Sequence, residues 1–68
     1  MAKFYVNDNK QNNGDHEVHN ENCMYLSLIK SKTDLGNHYS CNSAVEKAKT
    51  IYSQSNGCFH CSNDCHTT

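Results

Sequence analysis

Residues 57–68 read GCFHCSNDCHTT and place three cysteines and two histidines close together in a chain of only 68 residues. Side chains of these two kinds hold metal ions, form disulfides or carry out redox chemistry. At this length a hydrophobic core supplies only about 3–5 kcal/mol of folding free energy, so small domains usually need an additional disulfide or metal. The five cysteines of the chain are the candidates for that role. This segment therefore decides how the chain folds.

The composition favours a metal over a set of disulfides. Only 35% of the residues are hydrophobic and Trp is absent, which predicts a thin core. Residues 1–3, MAK, lead into the chain without an apolar signal segment, so we expect a cytoplasmic protein whose thiols stay reduced. An odd number of cysteines also cannot all pair within one chain. The longest apolar candidate, residues 24–29, is far shorter than the roughly 20 residues of a membrane span, so we expect no membrane association.

The pattern of apolar and polar segments predicts one small α+β domain that comprises the whole chain. Residues 3–6, KFYV, favour a first strand, and the polar residues 7–15 form a loop. Apolar residues farther on favour one or two more short antiparallel strands. We then expect one main helix at about 43–56, a C-terminal zinc knuckle, and a tail at 62–68. The fold class is thus a small zinc-stapled α+β domain.

The helix prediction depends on a capping box and on a stripe of apolar residues. Ser43 and Glu46 have the S-x-x-E spacing in which two side chains bind the free N–H groups of a first helical turn, and Asn42 is an alternative cap. Five apolar residues then fall on one helical face: Ala44, Val45, Ala48, Ile51 and Tyr52. Gly57 would provide the left-handed residue that ends the helix, and the chain would pass directly into Cys58.

Two pairs of potential ligands predict a metal site. Cys58 and Cys61 have the C-x2-C spacing of a zinc knuckle, and they follow the predicted helix, whereas a redox C-x-x-C opens one. His19 and Cys23 have an H-x3-C spacing, which brings two ligands to one face of a helical turn or to the ends of a tight loop. Together the two pairs supply one imidazole and three thiolates, a donor set that suits one tetrahedral Zn²⁺. Because all four positions are filled by protein, we expect the zinc to be structural.

The order H-x3-C, short β segment, helix and C-x2-C resembles the small metal-binding domain of the Ada family of DNA-repair proteins and its stand-alone relatives. The resemblance covers roughly residues 16–61 and implies a mixed α+β fold with one tetrahedral zinc. It implies four ligands: His19, Cys23, Cys58 and Cys61. In the repair proteins the first ligand is a cysteine that accepts a methyl group from DNA phosphotriesters, and His19 cannot act in that way. The chain is also similar to a group of short bacterial proteins with a C-x2-C-x3-C-H tail, which implies no activity.

The remaining donors leave alternatives open. Cys41, beside the helix start, is predicted to be a small buried hydrophobe, or otherwise a ligand. Cys65 or His66 could replace His19, because the C-x2-C-x3-C spacing can also surround a metal locally. With Cys23 or Cys41 as a fourth thiolate, the same run could hold an iron–sulfur cluster. Three histidines are expected to lie outside the ligand set: His16, His38 and His60. The tyrosines are expected to fill the core: Tyr5, Tyr25, Tyr39 and Tyr52.

We expect a non-enzymatic module whose zinc is structural and which contacts another macromolecule. No Ser/His/Asp arrangement, carboxylate pair or phosphate-binding glycine loop argues for catalysis. The six basic residues are all Lys and the net charge is −1, so a protein is a better partner than a nucleic acid, and we expect a monomer. The alternative function is a thiol-based metal buffer or redox sensor that uses Cys41, Cys65 and His66. It predicts a reversible Cys41–Cys65 disulfide.

Overall fold

Four β-strands form one mixed sheet and a single helix packs against it in the computed structural model, which describes residues 1–67. The elements in chain order are β1 (Ala2–Asn7), β2 (His16–Asn20), β3 (Lys32–His38), α1 (Cys41–Ala48) and β4 (Ser55–Gly57). Two short 3-10 turns span Leu26–Leu28 and Asn63–Cys65. The predicted small α+β fold is confirmed. None of the helices in residues 1–67 is long and apolar enough to cross a membrane.

The sheet has the strand order β3-β1-β2-β4. β1 pairs antiparallel with both β2 and β3, as the sequence predicted. β4 was not predicted, and it pairs parallel with β2, with His16 opposite Ser55 and Val18 opposite Gly57. This pairing carries the chain to Cys58, whose N–H donates to the Val18 carbonyl over 3.0 Å. The parallel edge strand therefore places Cys58 beside β2.

The hydrophobic core lies between α1 and one face of the sheet. Phe4 and Val6 alternate along β1 and are both buried, as expected for a strand with one face toward the core. The core cluster consists of seven residues: Phe4, Val6, Val18, Leu35, Ala44, Val45 and Ala48. The prediction that the tyrosines fill the core was largely wrong, because Tyr39 is 90% exposed and Tyr25 is exposed as well. Of the four tyrosines, all within residues 1–67, Tyr52 is the one that packs against the cluster.

The helix begins and ends earlier than the capping-box prediction placed it. Its N-cap is Ser40, which makes no side-chain capping hydrogen bond. The Ser43 hydroxyl is instead hydrogen-bonded to Nδ1 of His38 at 2.8 Å, so the predicted capping box does not form. After Ala48 the Thr50 hydroxyl donates to the Lys47 carbonyl over 2.6 Å. Residues 55–57 then pair with β2 as strand β4. The helix consequently spans eight residues instead of the predicted segment 43–56.

Gly57 does not end the helix, since it lies within β4. The residues with positive φ among positions 1–67 are Gly14 and Gly36. A Cβ atom at Gly57 would lie 2.6 Å from the Ser62 carbonyl oxygen and 2.8 Å from Cys65 Cβ. Position 57 therefore requires glycine because Ser62 and Cys65, in the segment after the C-x2-C motif, approach its backbone closely.

Replacing Gly57 with alanine is expected to lower the free energy of unfolding by about 1–3 kcal/mol, because the added methyl group meets the backbone of Ser62. Urea unfolding of both proteins measures the difference. The control is Ser53→Ala at an exposed position, which should change stability by less than about 0.5 kcal/mol. Equal stabilities of Gly57→Ala and Ser53→Ala would show that the segment after the knuckle is not held against β4.

The polar loop at 7–15 is held by contacts of Asp8, near its start, and of His16, just after its end. The Thr33 and Tyr52 hydroxyls donate to Asp8 over 2.6 Å and 2.9 Å. These hydrogen bonds, that of Thr33 first, hold the pKa of the Asp8 carboxyl below its usual value. The ring of His16 stacks on Tyr52 at 3.9 Å between centroids. His16 is thus used for packing, in agreement with its predicted place outside the ligand set.

Candidate metal centre

The structure brings together the four side chains that the sequence analysis selected. The candidate donor atoms of His19, Cys23, Cys58 and Cys61 all lie within 4.8 Å of one another. His19 is near the end of β2, Cys23 is in the turn that follows, and the other two cysteines are in the turn after β4. Because Val18 points into the core, strand alternation places His19 on the opposite face of the sheet. The cluster therefore lies on the face away from α1.

The H-x3-C pair is held by a tight turn, the second of the two geometries that its spacing allowed. The Cys23 N–H donates to the Asn20 carbonyl over 3.1 Å. The Asn22 N–H donates to Oδ1 of Asn20 over 2.8 Å, so the same asparagine supplies both acceptors of the turn. This turn returns the Cys23 sulfur to 3.4 Å from Nδ1 of His19.

The C-x2-C pair follows a strand, and not the helix that was predicted. The Ser62 N–H donates to the Cys58 carbonyl over 2.9 Å, which closes the turn that contains both cysteines. The next helical turn starts at Asn63 and is three residues long. Cys58 therefore does not lie at the start of an α-helix, the position that lowers the thiol pKa in redox C-x-x-C motifs. The Asn20 side-chain amide donates to the Cys61 carbonyl over 3.1 Å and links the two ligand pairs.

The distances from the His19 nitrogen to two of the sulfurs are close to those of a tetrahedral zinc site, and all four donors lie within 4.8 Å of one another. Zn–S bonds of about 2.3 Å and Zn–N bonds of about 2.0–2.1 Å place neighbouring donors of a tetrahedral site about 3.5–3.8 Å apart. Nδ1 of His19 lies 3.4 Å from the Cys23 sulfur and 3.7 Å from the Cys61 sulfur. His19 and Cys58 are each 2% exposed and Cys23 is 8% exposed. The arrangement thus provides three sulfurs and one imidazole nitrogen around one point that is largely closed to solvent.

Burial sets the protonation of these donors. Desolvation lowers the pKa of His19, and the nearby Glu17 carboxylate opposes that shift, so the imidazole is neutral and offers a lone pair. Desolvation and the contact with Cys23 raise the pKa of the Cys61 thiol to about 12. Without a cation this thiol keeps its proton, and a bound metal would have to displace it. Metal binding at Cys61 would therefore release a proton.

The other cysteines and the last histidine are engaged elsewhere. Cys41 and Cys65 form a disulfide and pack against the core on the α1 side of the sheet. Cys41 is half-buried and paired, so it is neither the buried hydrophobe nor the ligand that was predicted, whereas the alternative function had predicted this Cys41–Cys65 pair. Nδ1 of His66 is hydrogen-bonded to the Gly57 carbonyl at 3.0 Å. Neither Cys65 nor His66 replaces His19, and no fourth thiolate from Cys41 joins the cluster.

A cavity of about 580 Å³ opens beside the cluster. His19 and Cys58 form part of its wall together with Glu17. Apolar side chains form another part of its wall, and three of them are exposed to solvent: Tyr25 (37%), Leu28 (74%) and Phe59 (56%). His60 lies at the same place, 4.6 Å from the Tyr25 ring, and is exposed. The residues of this surface come from two segments that are distant in sequence, so their proximity could not be predicted from spacing.

Comparisons with known proteins identify no family for this chain. The resemblance to the Ada-type domain therefore stays a prediction from motif spacing. The interpretation of the cluster depends on the arrangement of His19, Cys23, Cys58 and Cys61 itself. The chain matches no protein-family model, no curated protein and no solved structure.

Proposed function

We propose that this chain is a non-enzymatic zinc-binding module whose metal is structural and whose surface contacts another macromolecule. The observation that carries the proposal is the convergence of one imidazole and three sulfurs within 4.8 Å from two turns that are distant in sequence. Zn²⁺ is the cation that such a borderline-soft, tetrahedral donor set suits best. The Ada-type spacing of the ligands agrees with this choice.

A structural role follows from the number and burial of the donors. Catalytic zinc sites keep a position for water or substrate, whereas structural sites use four protein ligands. Here all four donors come from the protein and three of the residues are buried. The zinc would join the end of β2 to the turn after β4. The module therefore has a metal that stabilises the fold and leaves no coordination site for chemistry.

The exposed apolar side chains beside the cluster favour a protein partner. Clusters of exposed apolar residues on small soluble domains mark interaction sites. Leu28 and Phe59 are more than half exposed next to the cavity; Leu28 comes after the turn that carries Cys23, and Phe59 lies within the turn between Cys58 and Cys61. The absence of Arg and the net charge of −1 disfavour nucleic acid. We propose a monomer that works in the cytoplasm, where the three ligand thiols stay reduced; the Cys41–Cys65 disulfide departs from the expectation that every thiol of the chain is reduced.

Native mass spectrometry of the chain purified without added metal or chelator tests the proposal. We expect one Zn²⁺ per monomer, and a mass two hydrogens lower than that of the fully reduced chain because of the Cys41–Cys65 disulfide. Denaturing spectra of the same sample give the metal-free mass as a reference. A metal-free chain that stays metal-free after Zn²⁺ is added would contradict the proposal.

Acidification is expected to release the metal. Protons compete for the three thiolates and the His19 imidazole, and the Cys61 thiol with its pKa of about 12 is protonated whenever no metal is bound. Apparent affinity should therefore fall with decreasing pH, by up to about tenfold per pH unit for each proton that metal binding displaces. Titration with a zinc-sensitive dye from about pH 8 to about pH 5 measures the release. Release that does not depend on pH would mean that the ligands are assigned wrongly.

A second candidate function, a thiol redox sensor, is favoured by the disulfide. Cys41 and Cys65 pair with each other while the four candidate ligands stay free for a metal. A dithiol reductant would cleave the Cys41–Cys65 bond, give two protein thiols, and itself become oxidised to a disulfide. The bond ties the start of α1 to the segment after the knuckle, so its cleavage would free that segment.

Redox titration of the zinc-loaded chain against a dithiol buffer separates the two candidates. A sensor should lose the Cys41–Cys65 disulfide at potentials above about −300 mV and retain its metal. A purely structural bond should persist below about −300 mV. Mass spectrometry after alkylation of free thiols reads the state of the disulfide: the reduced wild type carries two more labels than the Cys41→Ser plus Cys65→Ser chain, which cannot be labelled at these positions.

A further inference from the structure

The two ring nitrogens of His19 face different surroundings. Nδ1 faces the sulfurs of Cys23 and Cys61, at 3.4 Å and 3.7 Å. Nε2 points away from the cluster, is buried, and has no hydrogen-bond partner among residues 1–67. A buried ring nitrogen of this kind is exceptional, because buried polar atoms are nearly always hydrogen-bonded. The position of Nε2 therefore calls for an acceptor or donor nearby.

The chemistry of metal binding determines what Nε2 needs. A neutral imidazole has one N–H, and the other nitrogen carries the lone pair that binds a metal. If Nδ1 binds the cation, the hydrogen must be on Nε2, and that N–H needs an acceptor. Histidine ligands in metal sites almost always donate this second N–H to a carboxylate, a backbone carbonyl or water. The group next to Nε2 of His19 should therefore control how well Nδ1 binds.

Glu17 is placed to be that acceptor. Its Oε1 atom lies 3.7 Å from Nε2 of His19, which is slightly longer than a hydrogen bond. The two residues are two positions apart on β2, so their side chains leave the same face of the sheet. The Glu17 side chain is 24% exposed and lines the cavity, which leaves it room to move by the few tenths of an ångström that a hydrogen bond requires.

We infer that Glu17 is a positioning residue for the metal: its carboxylate accepts the Nε2–H of His19 and keeps Nδ1 free to bind the cation. The inference rests on the proposed zinc-binding function and names a fifth residue of the site that the ligand motifs do not reveal. Glu17 touches the imidazole and not the metal. Its effect is therefore on metal affinity and on the tautomer of His19.

The experiment compares Zn²⁺ affinities of wild type, Glu17→Ala and Glu17→Gln, by competition with a chromophoric chelator. Glu17→Ala should bind about 10–100-fold more weakly, as is usual when such a partner is removed. Glu17→Gln keeps an acceptor oxygen and should lose less. The control is Glu21→Gln, which removes the same charge two residues after His19 at an exposed position whose carboxylate accepts the Lys3 N–H. Its affinity should stay within about twofold of wild type.

Long-range ¹H–¹⁵N NMR of the zinc-loaded chains gives a readout that a merely structural role of Glu17 would not change. Wild type should show His19 with Nδ1 bound to metal and with a slowly exchanging Nε2–H, and Glu17→Ala should show faster exchange of that hydrogen. Wild-type zinc binding with an unchanged affinity in Glu17→Ala, or with the hydrogen on Nδ1, would overturn the inference and leave the proposed function intact. A wild-type chain that binds no zinc would overturn both.

Discussion

Replacing Cys58 with serine is expected to abolish tight zinc binding and to leave most of the chain unfolded at room temperature. Cys58 is 2% exposed and is one of the four donors of the cluster. Structural zinc contributes about 10–16 kcal/mol of apparent binding free energy, more than the roughly 3–5 kcal/mol that a core of this size supplies. Loss of a metal ligand should weaken zinc binding by more than roughly 100-fold, the upper end of the effect of losing a residue that only hydrogen-bonds to a ligand. Circular dichroism and zinc competition measure both effects.

The matched control is the double change Cys41→Ser and Cys65→Ser. It exchanges the same side chains at positions that are joined to each other and not to the cluster. Loss of a disulfide that closes a loop of this length costs about 3 kcal/mol, so the zinc-loaded double variant should still fold and bind one zinc. If Cys58→Ser kept tight zinc binding while the double variant lost it, the ligand set would include the wrong cysteines.

Replacing Leu35 with alanine is expected to cost about 2–5 kcal/mol of unfolding free energy. Leu35 is fully buried in β3 and belongs to the cluster of core residues that contacts α1. For a domain of this size the zinc-loaded chain should lose at least about 8 °C in its melting temperature. The core opposite the metal face is small, and Leu35 is among its largest fully buried side chains. Few neighbours are thus able to fill the space that the substitution leaves.

Leu28→Ala provides the control for that measurement, because it removes the same atoms from a side chain that is 74% exposed. Its melting temperature should differ from that of wild type by only about 2–4 °C, equivalent to at most about 0.5 kcal/mol. Zinc affinity should be nearly unchanged in both variants. Equal melting temperatures for the Leu35 and Leu28 variants would mean that the core between α1 and the sheet contributes little.

The candidate ligands could be predicted from sequence because their spacing is a local signal. An H-x3-C pair and a C-x2-C pair each define a short chelating segment without knowledge of the rest of the fold. What the spacing did not give was the order of elements between the pairs. Residues 55–57, SNG, carry no apolar alternation, and their strand exists because β2 offers a free edge for parallel pairing.

The helix boundaries and the disulfide were difficult for a related reason. Ser43 and Glu46 match a capping box, yet the Ser43 hydroxyl is hydrogen-bonded to His38, five positions earlier at the end of β3. Tyr39 follows β3 directly and is exposed, although its aromatic side chain was expected to lie in the core. Cys41 and Cys65 are separated by 24 positions and meet only because β4 returns the chain beside α1. For the disulfide, the tertiary fold brings together two residues that local sequence signals do not connect.

X-ray absorption at the zinc edge of the metal-loaded chain tests most directly the claim that two distant turns bind one zinc through three sulfurs and one nitrogen. The predicted spectrum has three sulfur neighbours at about 2.3 Å and one nitrogen at about 2.0–2.1 Å. The His19→Cys chain provides a reference with four sulfurs. A wild-type zinc with four sulfurs, or with two or fewer, would contradict the assignment of His19, Cys23, Cys58 and Cys61.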